Sequence, residues 1–332
     1  MRIAIDAMGG DHAPRNVVEG ALQALADLDS DDELILVGPE RLIRAELPAR
    51  CDGQAKLRLE NATEVIGMDE TPVEAVRRKR DSSIVRMVKL GAGGQADAMI
   101  SAGNTGALVA AGVLLLKPLA GVERPGIGVM IPTMHGMVIL CDAGANIQPK
   151  PAHLHQYALL AGIYAEAILH IERPRVGLLN IGAEEEKGTP LVKETRRLLE
   201  QDPSLNYVGF IEGRDIFQGV CDVVITDGFT GNVTLKIIEG ITASLLGELT
   251  QEARTCPGEL LAGLNPILAR IRDRYDHEQY GGAMLLGVCG LFLKVHGSGG
   301  ARAIRNAVRW VKDAGARGIH EHIRSRLGNR MA

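Results

Sequence analysis

Asp222-Val-Val-Ile-Thr-Asp-Gly-Phe-Thr-Gly-Asn-Val-Thr-Leu-Lys236 divides into a strand, a turn and a helix. Val223, Val224 and Ile225 are a short β-branched run, which suits a buried strand. Asp227, Gly228, Thr230 and Gly231 break it. Asn232 is placed to cap the helix after the turn, because its side-chain oxygen can accept from an unpaired backbone N–H. From Val233 the residues Leu235, Ile237, Ile238 and Ile241 give a helix with a broad apolar face. A glycine turn between a strand and a helix aims free N–H groups and the positive end of the helix dipole at one spot, an anion site.

The same design recurs along the chain. Arg2–Ala7 reads as a strand closed by Met8-Gly-Gly-Asp-His-Ala-Pro14, and Val17–Leu28 has helical spacing. Strands are expected at Glu33–Val37 and near Leu57–Glu60, with a short helix around Arg41–Leu47 between them. Thr71-Pro72 is an N-cap followed by proline at the first helical position. Asp97–Ser101 runs into Ala102-Gly-Asn-Thr-Gly106 and a very apolar helix. Gly126–Thr133 and Met137–Asp142 form a hairpin about Met134-His-Gly136, and a long helix covers Pro151–Ile171. Val176–Ile181 opens into Gly182-Ala-Glu-Glu-Glu-Lys-Gly188, with a helix from Thr189-Pro190 and a strand at Tyr207–Ile211. Met284–Val288 and Leu291–Val295 pair as strands before His296-Gly-Ser-Gly-Gly300 and a basic terminal helix. Alternating strands and helices give an α/β sandwich with a largely parallel sheet, and the hairpins make that sheet mixed. No low-complexity linker separates autonomous domains, so residues 1–332 read as a single α/β unit.

Composition narrows the function. With 46% hydrophobic residues, the 332-residue chain can bury a sizeable core. A net charge of −4 and 3% aromatics speak against a nucleic-acid partner. Cys51, Cys141, Cys221, Cys256 and Cys289 are odd in number and lack metal-ligand spacing, as expected of reduced thiols in a cytosolic protein. Met1–Ala7 starts directly on a strand pattern, so no signal segment is expected. The longest apolar run, Ala107–Leu116, is short of the ~20 residues that span a bilayer. The basic run Arg77–Arg80 reads as a solvated helix face or a docking patch for an acidic partner.

If the sheet is parallel, the turns at its strand ends gather on one edge and form a ligand site. Gly-rich helix starts favour phosphate or another anion, and Lys187, Lys294 and His296 are placed to add charge. Gly91-Ala-Gly-Gly94 lacks the dinucleotide spacing, and the chain has neither a G-x-x-x-x-G-K-[ST] loop nor a G-x-S-x-G elbow. A phosphate cradle without a protein nucleophile suggests phosphate itself as the reactant. Residues 240–275 add a leucine-rich helix–Pro/Gly–helix hairpin carrying Leu245, Leu249, Leu260, Leu264 and Ile267. Such a hairpin suits burial in a dimer at its base and contact with a membrane interface at its tip.

Several motifs, in order, resemble the bacterial phosphate acyltransferase family over nearly the whole chain. They are Asp6-Ala-Met-Gly-Gly-Asp-His-Ala-Pro14, Ser101-Ala-Gly-Asn-Thr-Gly-Ala107, Asp142-Ala-Gly-Ala-Asn146, Asn180-Ile-Gly182 with Glu185-Glu-Lys-Gly188, Asp227-Gly-Phe-Thr-Gly-Asn232, and Tyr280-Gly-Gly282 with Lys294-Val-His-Gly297. Ala183 departs where an acidic residue is expected, and Gly299-Gly300 where Ser-Asn-like polarity is expected. The resemblance implies a three-layer, isocitrate/isopropylmalate-dehydrogenase-like sandwich, a homodimer, and no metal, nucleotide or other cofactor. It implies transfer of a long-chain acyl group from acyl carrier protein to inorganic phosphate. The acyl phosphate then passes to a membrane glycerol-3-phosphate acyltransferase in phospholipid synthesis. The expected location is cytoplasmic, peripheral to the inner face of the cell membrane. On the matching positions the resemblance implies catalytic Lys187, Asn232 and His296. It also implies a phosphate- and substrate-binding set of Asp6, Gly9, Gly10, Asp11, Ser101, Gly103, Asn104, Thr105, Gly106, Asn146, Asp227, Gly228, Thr230, Gly231 and Lys294. Phosphate would sit among the backbone amides of the Asn104 and Asn232 turns, with Lys187 on one oxygen and His296 protonating the leaving thiolate. Rival readings are a decarboxylating NAD-dependent dehydrogenase, acyl transfer from coenzyme A, and a non-enzymatic membrane scaffold. Cofactor absorbance, a comparison of donors and liposome binding separate them.

Overall fold

The computed structural model describes residues 1–48 and 56–331; Cys51 lies outside them. The aliphatic runs become strands β1 (Arg2–Asp6), β2 (Glu33–Gly38), β3 (Leu57–Asn61), β4 (Ala98–Ser101), β5 (Gly126–Thr133), β6 (Gly136–Cys141), β7 (Arg175–Leu179), β8 (Asn206–Ile211), β9 (Val223–Ile225), β10 (Ala283–Leu286) and β11 (Leu291–Lys294). They form one 11-stranded sheet in the order β3-β2-β1-β4-β11-β10-β5-β6-β9-β7-β8.

The sheet has two parallel blocks. β3, β2, β1, β4 and β11 run together, and so do β6, β9, β7 and β8. Between the blocks, β10 is antiparallel to β11 and β5, and the expected β5–β6 hairpin is antiparallel as well. Each antiparallel junction reverses the strand sense, so the second block runs opposite to the first. The expectation that all strand-ending turns share one edge is therefore corrected. The turns after β1, β4 and β11 close one block, and those after β6, β7 and β9 close the other.

Helices α1 (Arg15–Ala24), α2 (Glu40–Glu46), α3 (Pro72–Arg78), α4 (Ser83–Ala92), α5 (Thr105–Ala111), α6 (Pro151–Leu169), α7 (Pro190–Gln201), α8 (Gly228–Ala253), α9 (Gly258–Tyr275), α10 (Ala301–Ala316) and α11 (Ile319–Met331) complete the chain. Side-chain alternation on the strands sorts them into layers. Ile3, Ile5, Leu34, Leu36 and Ile100 face a core shared with α1, α6, α10 and α11. Ala4, Ile35, Val37 and Met99 face the opposite side, against α4 and α5. This is the three-layer sandwich. A third cluster under β6, β7, β8 and β9 is closed by Leu235 and Ile238 of α8.

Thr71 is the N-cap of α3 with Pro72 opening the helix, as expected, although its side chain makes no capping bond. One local expectation changes. Asn232 does not cap α8. Asp227 does, accepting from Thr230 N–H at 2.9 Å and Thr230 Oγ1 at 2.7 Å. The helix therefore begins at Gly228, and Asn232 lies one turn inside it. α8 and α9 are sparsely covered. Phe229, Val233, Ile237, Ile241, Leu245 and Leu249 repeat every fourth residue of α8, and all are exposed. Among the described residues no helix is long and apolar enough to cross a membrane.

Candidate active site

One wall of the site is built where β1, β4 and β11 end. Asp6 is 1% exposed, and its carboxylate accepts from Ser101 Oγ at 2.7 Å and Met8 N–H at 3.1 Å. Ser101 Oγ in turn accepts from Gly103 N–H at 2.9 Å. Burial raises the Asp6 carboxyl above the usual range, against the opposing pull of Ser83, Ser101, Met8 and Lys294. Gly9 is required by contact, since a Cβ there would lie 2.6 Å from Gly103 N. Gly10 has φ +103°, and beside it Asp11 N–H donates to Gly297 O at 2.8 Å. Asp6, Ser101, Gly9, Gly10 and Gly103 thus lock three turns together, and Asp11 and Thr105 face the cleft. Asn104 caps α5 by accepting from Ala107 N–H at 3.0 Å, and its Nδ2 donates to Gly67 O at 3.1 Å and Met68 O at 3.2 Å. Its amide holds the neighbouring segment in place, while Gly106 lets Pro72 approach, with an added Cβ only 2.5 Å from Pro72 Cγ.

The opposite wall hangs on Asp142, which the sequence places in a motif but not among the candidate site residues. Its buried carboxylate accepts from the N–H groups of Ile127 (2.9 Å), Gly144 (3.1 Å), Ala145 (2.9 Å) and Asn146 (2.7 Å). Burial pushes its carboxyl above the usual range, and the four N–H bonds pull it back. Asn146 Nδ2 donates to Pro125 O at 2.7 Å and Tyr157 OH at 2.6 Å, and Asn146 O accepts from Gly228 N–H at 2.9 Å. A Cβ on Gly231 would sit 1.9 Å from Asp142 O, so only glycine lets α8 seat on this turn. Seated there, α8 sets the Asn232 side chain against Gly144. The expected anion cradle at the start of α8 is corrected for a physical reason. Asn146 O and the Asp227 carboxylate already take the Gly228 and Thr230 N–H groups.

Between these walls lies a groove of about 710 Å³. Ile127, Val129, Ile131, Leu235, Ile238 and Leu246 line its apolar length, and Asn232, Lys236, Lys294 and His296 line its polar part. Lys294 Nζ donates to Val295 O. Burial lowers the Lys294 ammonium to about 8, helped by the charge of Lys236 and opposed by Asp6 and Asp11. Lys236 bridges the walls. Its Nζ lies 2.7 Å from Glu239 Oε2 and 2.5 Å from His296 Nε2. Lys236 and Glu239 are not among the residues the sequence motifs single out, although their spacing of four and seven residues from Asn232 puts them on the same helix face. Lys187 is exposed on the loop after β7, which closes the same end of its block as the Asp227 turn, and it does not line the groove. Among the described residues no group of three or more His, Cys, Asp or Glu could hold a metal ion.

A groove that is cationic at one end and aliphatic along its length suits an enzyme whose substrate joins an anionic centre to a hydrocarbon. Residues 1–322 match the model of the family described as fatty acid synthesis protein, and the chain belongs to that family. It is an acyltransferase, and its resemblance to bacterial phosphate acyltransferases extends over nearly its whole length. It is 47% identical over 330 residues to a phosphate acyltransferase of Desulfitobacterium hafniense, with 98% of each chain covered. It is also 47% identical over 311 residues to a phosphate acyltransferase of Brevibacillus brevis, with 93% of this chain and 92% of that one covered. Among solved structures, a phosphotransacetylase from Streptococcus pyogenes superposes with a TM-score of 0.61 at 20% identity, covering 95% of this chain and 94% of that one. A 4-hydroxythreonine-4-phosphate dehydrogenase from Klebsiella pneumoniae gives 0.51 at 12% identity, covering 94% and 98%. At such identities these two likenesses establish the shared fold alone.

The electrostatics predict a pH limit on anion binding. Lys294 is charged below about 8 and loses its charge above it. Affinity for inorganic phosphate, measured by calorimetry from pH 6.5 to 9.5, should weaken about tenfold per pH unit once Lys294 titrates. Lys294→Arg should move that break upward, because guanidinium stays charged. A flat profile in the native protein would remove Lys294 from the anion site.

Proposed function

We propose that the enzyme transfers a long-chain acyl group from acyl carrier protein to inorganic phosphate, releasing acyl phosphate for glycerol-3-phosphate acylation in phospholipid synthesis. The observation that carries this reading is the groove itself, aliphatic from Ile127 to Leu246 and cationic at Lys236 and Lys294. The hydrocarbon occupies the aliphatic length, and phosphate sits beside Lys294 and Asn232. A phosphate oxygen attacks the thioester carbonyl. The new C–O bond forms, the C–S bond breaks, and the electron pair leaves on sulfur. Asn232 and a backbone N–H donate to the developing oxyanion, a task that requires donors about 3 Å away. Lys187, exposed on the loop after β7, is assigned to hold a phosphate oxygen, a role that variants test.

The carrier is acidic, so a basic surface beside the groove steers it. On α10, Arg305 is already paired with Asp27 at 2.7 Å, and Arg302 with Asp276. In the Arg77–Arg80 run, Glu70 holds both Arg78 (2.9 Å) and Lys79 (2.5 Å). The end of α9 is favoured instead, since Arg272 lines the groove and Arg270 and Arg274 are exposed beside it.

The four-residue repeat on α8 gives this family member a second surface. Residues spaced by four form a ridge that packs into the matching groove of another helix at about −50°. A second copy of the chain covers the ridge near Val233 and Ile237. The exposed Leu249 and Leu260, flanking the Cys256-Pro257 turn, remain to touch a lipid surface.

Palmitoyl-carrier protein and phosphate, trapped with hydroxylamine, should yield phosphate-dependent hydroxamate and free carrier. Lys187→Ala and Asn232→Ala should each lower turnover on the order of 10²-fold with unchanged unfolding midpoints; near-normal activity in both would remove this assignment. Arg270→Glu with Arg274→Glu should raise the KM for carrier and leave the KM for phosphate alone, and no change would move docking elsewhere. Sedimentation should find a dimer that Ile237→Asp converts to monomer, whereas Leu249→Asp with Leu260→Asp should leave the dimer intact and abolish binding to anionic vesicles. The opposite pattern would exchange the two surfaces.

A further inference from the structure

Lys236 and His296 come from opposite walls of the cleft, one from α8 and one from the loop after β11, and meet at 2.5 Å. At that distance one of the two nitrogens must accept from the other. Ser298 orients the ring, with its Oγ 2.7 Å from His296 Nδ1 and its backbone N–H donating to Nδ1 at 3.3 Å. Glu239 Oε2 holds Lys236 at 2.7 Å and lies 3.8 Å from His296 Nε2. Lys236 is thus fixed between a carboxylate and an imidazole at the polar part of the groove.

The proposed reaction, on which this inference rests, has a proton to move. Thioester plus hydrogen phosphate dianion gives acyl phosphate dianion plus free thiol, so the phosphate loses one proton and sulfur gains one. No other reactant is consumed. We propose that Lys236 and His296 act as a paired acid and base that carry this proton from phosphate to sulfur. As the C–S bond breaks, Lys236 Nζ gives a proton to the departing sulfur. His296 Nε2, no longer facing a donor, takes the proton of the attacking phosphate. Transfer from Nε2 to Nζ across their contact restores the ammonium and the neutral ring. Glu239 and Ser298 are positioning residues, Glu239 for the ammonium and Ser298 for the ring.

A pair of acyl donors with different leaving groups tests this. Palmitoyl-pantetheine leaves as an alkyl thiolate that benefits from protonation, and a palmitoyl nitrothiophenol ester leaves as a stable anion that does not. Lys236→Met should lower kcat on the order of 10²-fold with the alkyl donor and far less with the aryl donor. Lys236→Arg keeps the charge without a transferable proton, so it should retain the KM for phosphate while losing kcat with the alkyl donor. His296→Gln removes the base and should slow both donors alike. Equal losses of Lys236→Met on both donors, with a raised KM for phosphate, would make Lys236 an anion holder and overturn the relay. Unchanged kcat in Lys236→Met would overturn it too. If the native protein forms no hydroxamate from palmitoyl-carrier protein, the proposed reaction fails and the relay with it. If the native protein turns over and the variants do not discriminate between donors, only the relay fails.

Discussion

The reversal of strand sense at the centre of the sheet is the constraint on which the site depends. β10 and the β5–β6 hairpin separate two parallel blocks that run in opposite directions. A wholly parallel sheet would offer a crevice at the carboxyl edge of its strands. Here the groove instead runs past β5, with Ile127, Val129 and Ile131 at its side, and receives polar groups from both blocks. Asp142 is what makes the second block's contribution rigid. Four backbone N–H groups converge on one carboxylate, and α8 then seats on the turn so formed through Gly228 and Gly231. Because those bonds are buried, losing the acceptor would leave several donors unsatisfied, which costs about 1–3 kcal/mol each.

The strands and most helices were legible because the aliphatic runs and their Gly or Pro boundaries are strong local signals. Val223–Ile225, the β5–β6 pair and the Thr189-Pro190 start of α7 all depend on residues near in sequence. The direction of the second block was not legible, since parallel and antiparallel neighbours share the same apolar pattern. The cap of α8 was misplaced for a related reason. Asp227 and Asn232 are both good capping types, and what decides between them is the contact of Gly228 and Gly231 with the distant 142–146 turn. In the site, Asp11, Thr105, Asn232, Lys294 and His296 do come together at the groove. Asp6, Ser101, Asn104 and Asn146 instead spend their hydrogen bonds holding the turns. Sequence motifs do not distinguish a residue that meets a ligand from one that shapes the loop beside it.

The polar part of the groove balances charge closely. Lys236 and Lys294 repel each other, and desolvation weakens the buried one further. Asp6, Asp11 and Glu239 offset this only in part. A site of this kind is most stable with an anion between its cations, which replaces the lost hydration of Lys294 by direct charge pairing. Such a site favours a doubly charged anion over neutral water at the same position. In the proposed reaction that preference would count, because water attacking the thioester would waste the acyl group as a free acid.

Helix α8 joins these parts. Its first turn is tied to the 142–146 turn, Asn232, Lys236 and Glu239 face the cleft, Leu235 and Ile238 close the third core cluster, and the exposed repeat from Phe229 to Leu249 points elsewhere. Residues at spacings of three and four share a face, so the cleft-facing and exposed stripes can be read apart along one helix. A rigid helix cannot tilt one stripe without moving the other. The exposed ridge and the residues that face the cleft therefore belong to one rigid element, whose first turn is seated on the Asp142 turn through Gly228 and Gly231.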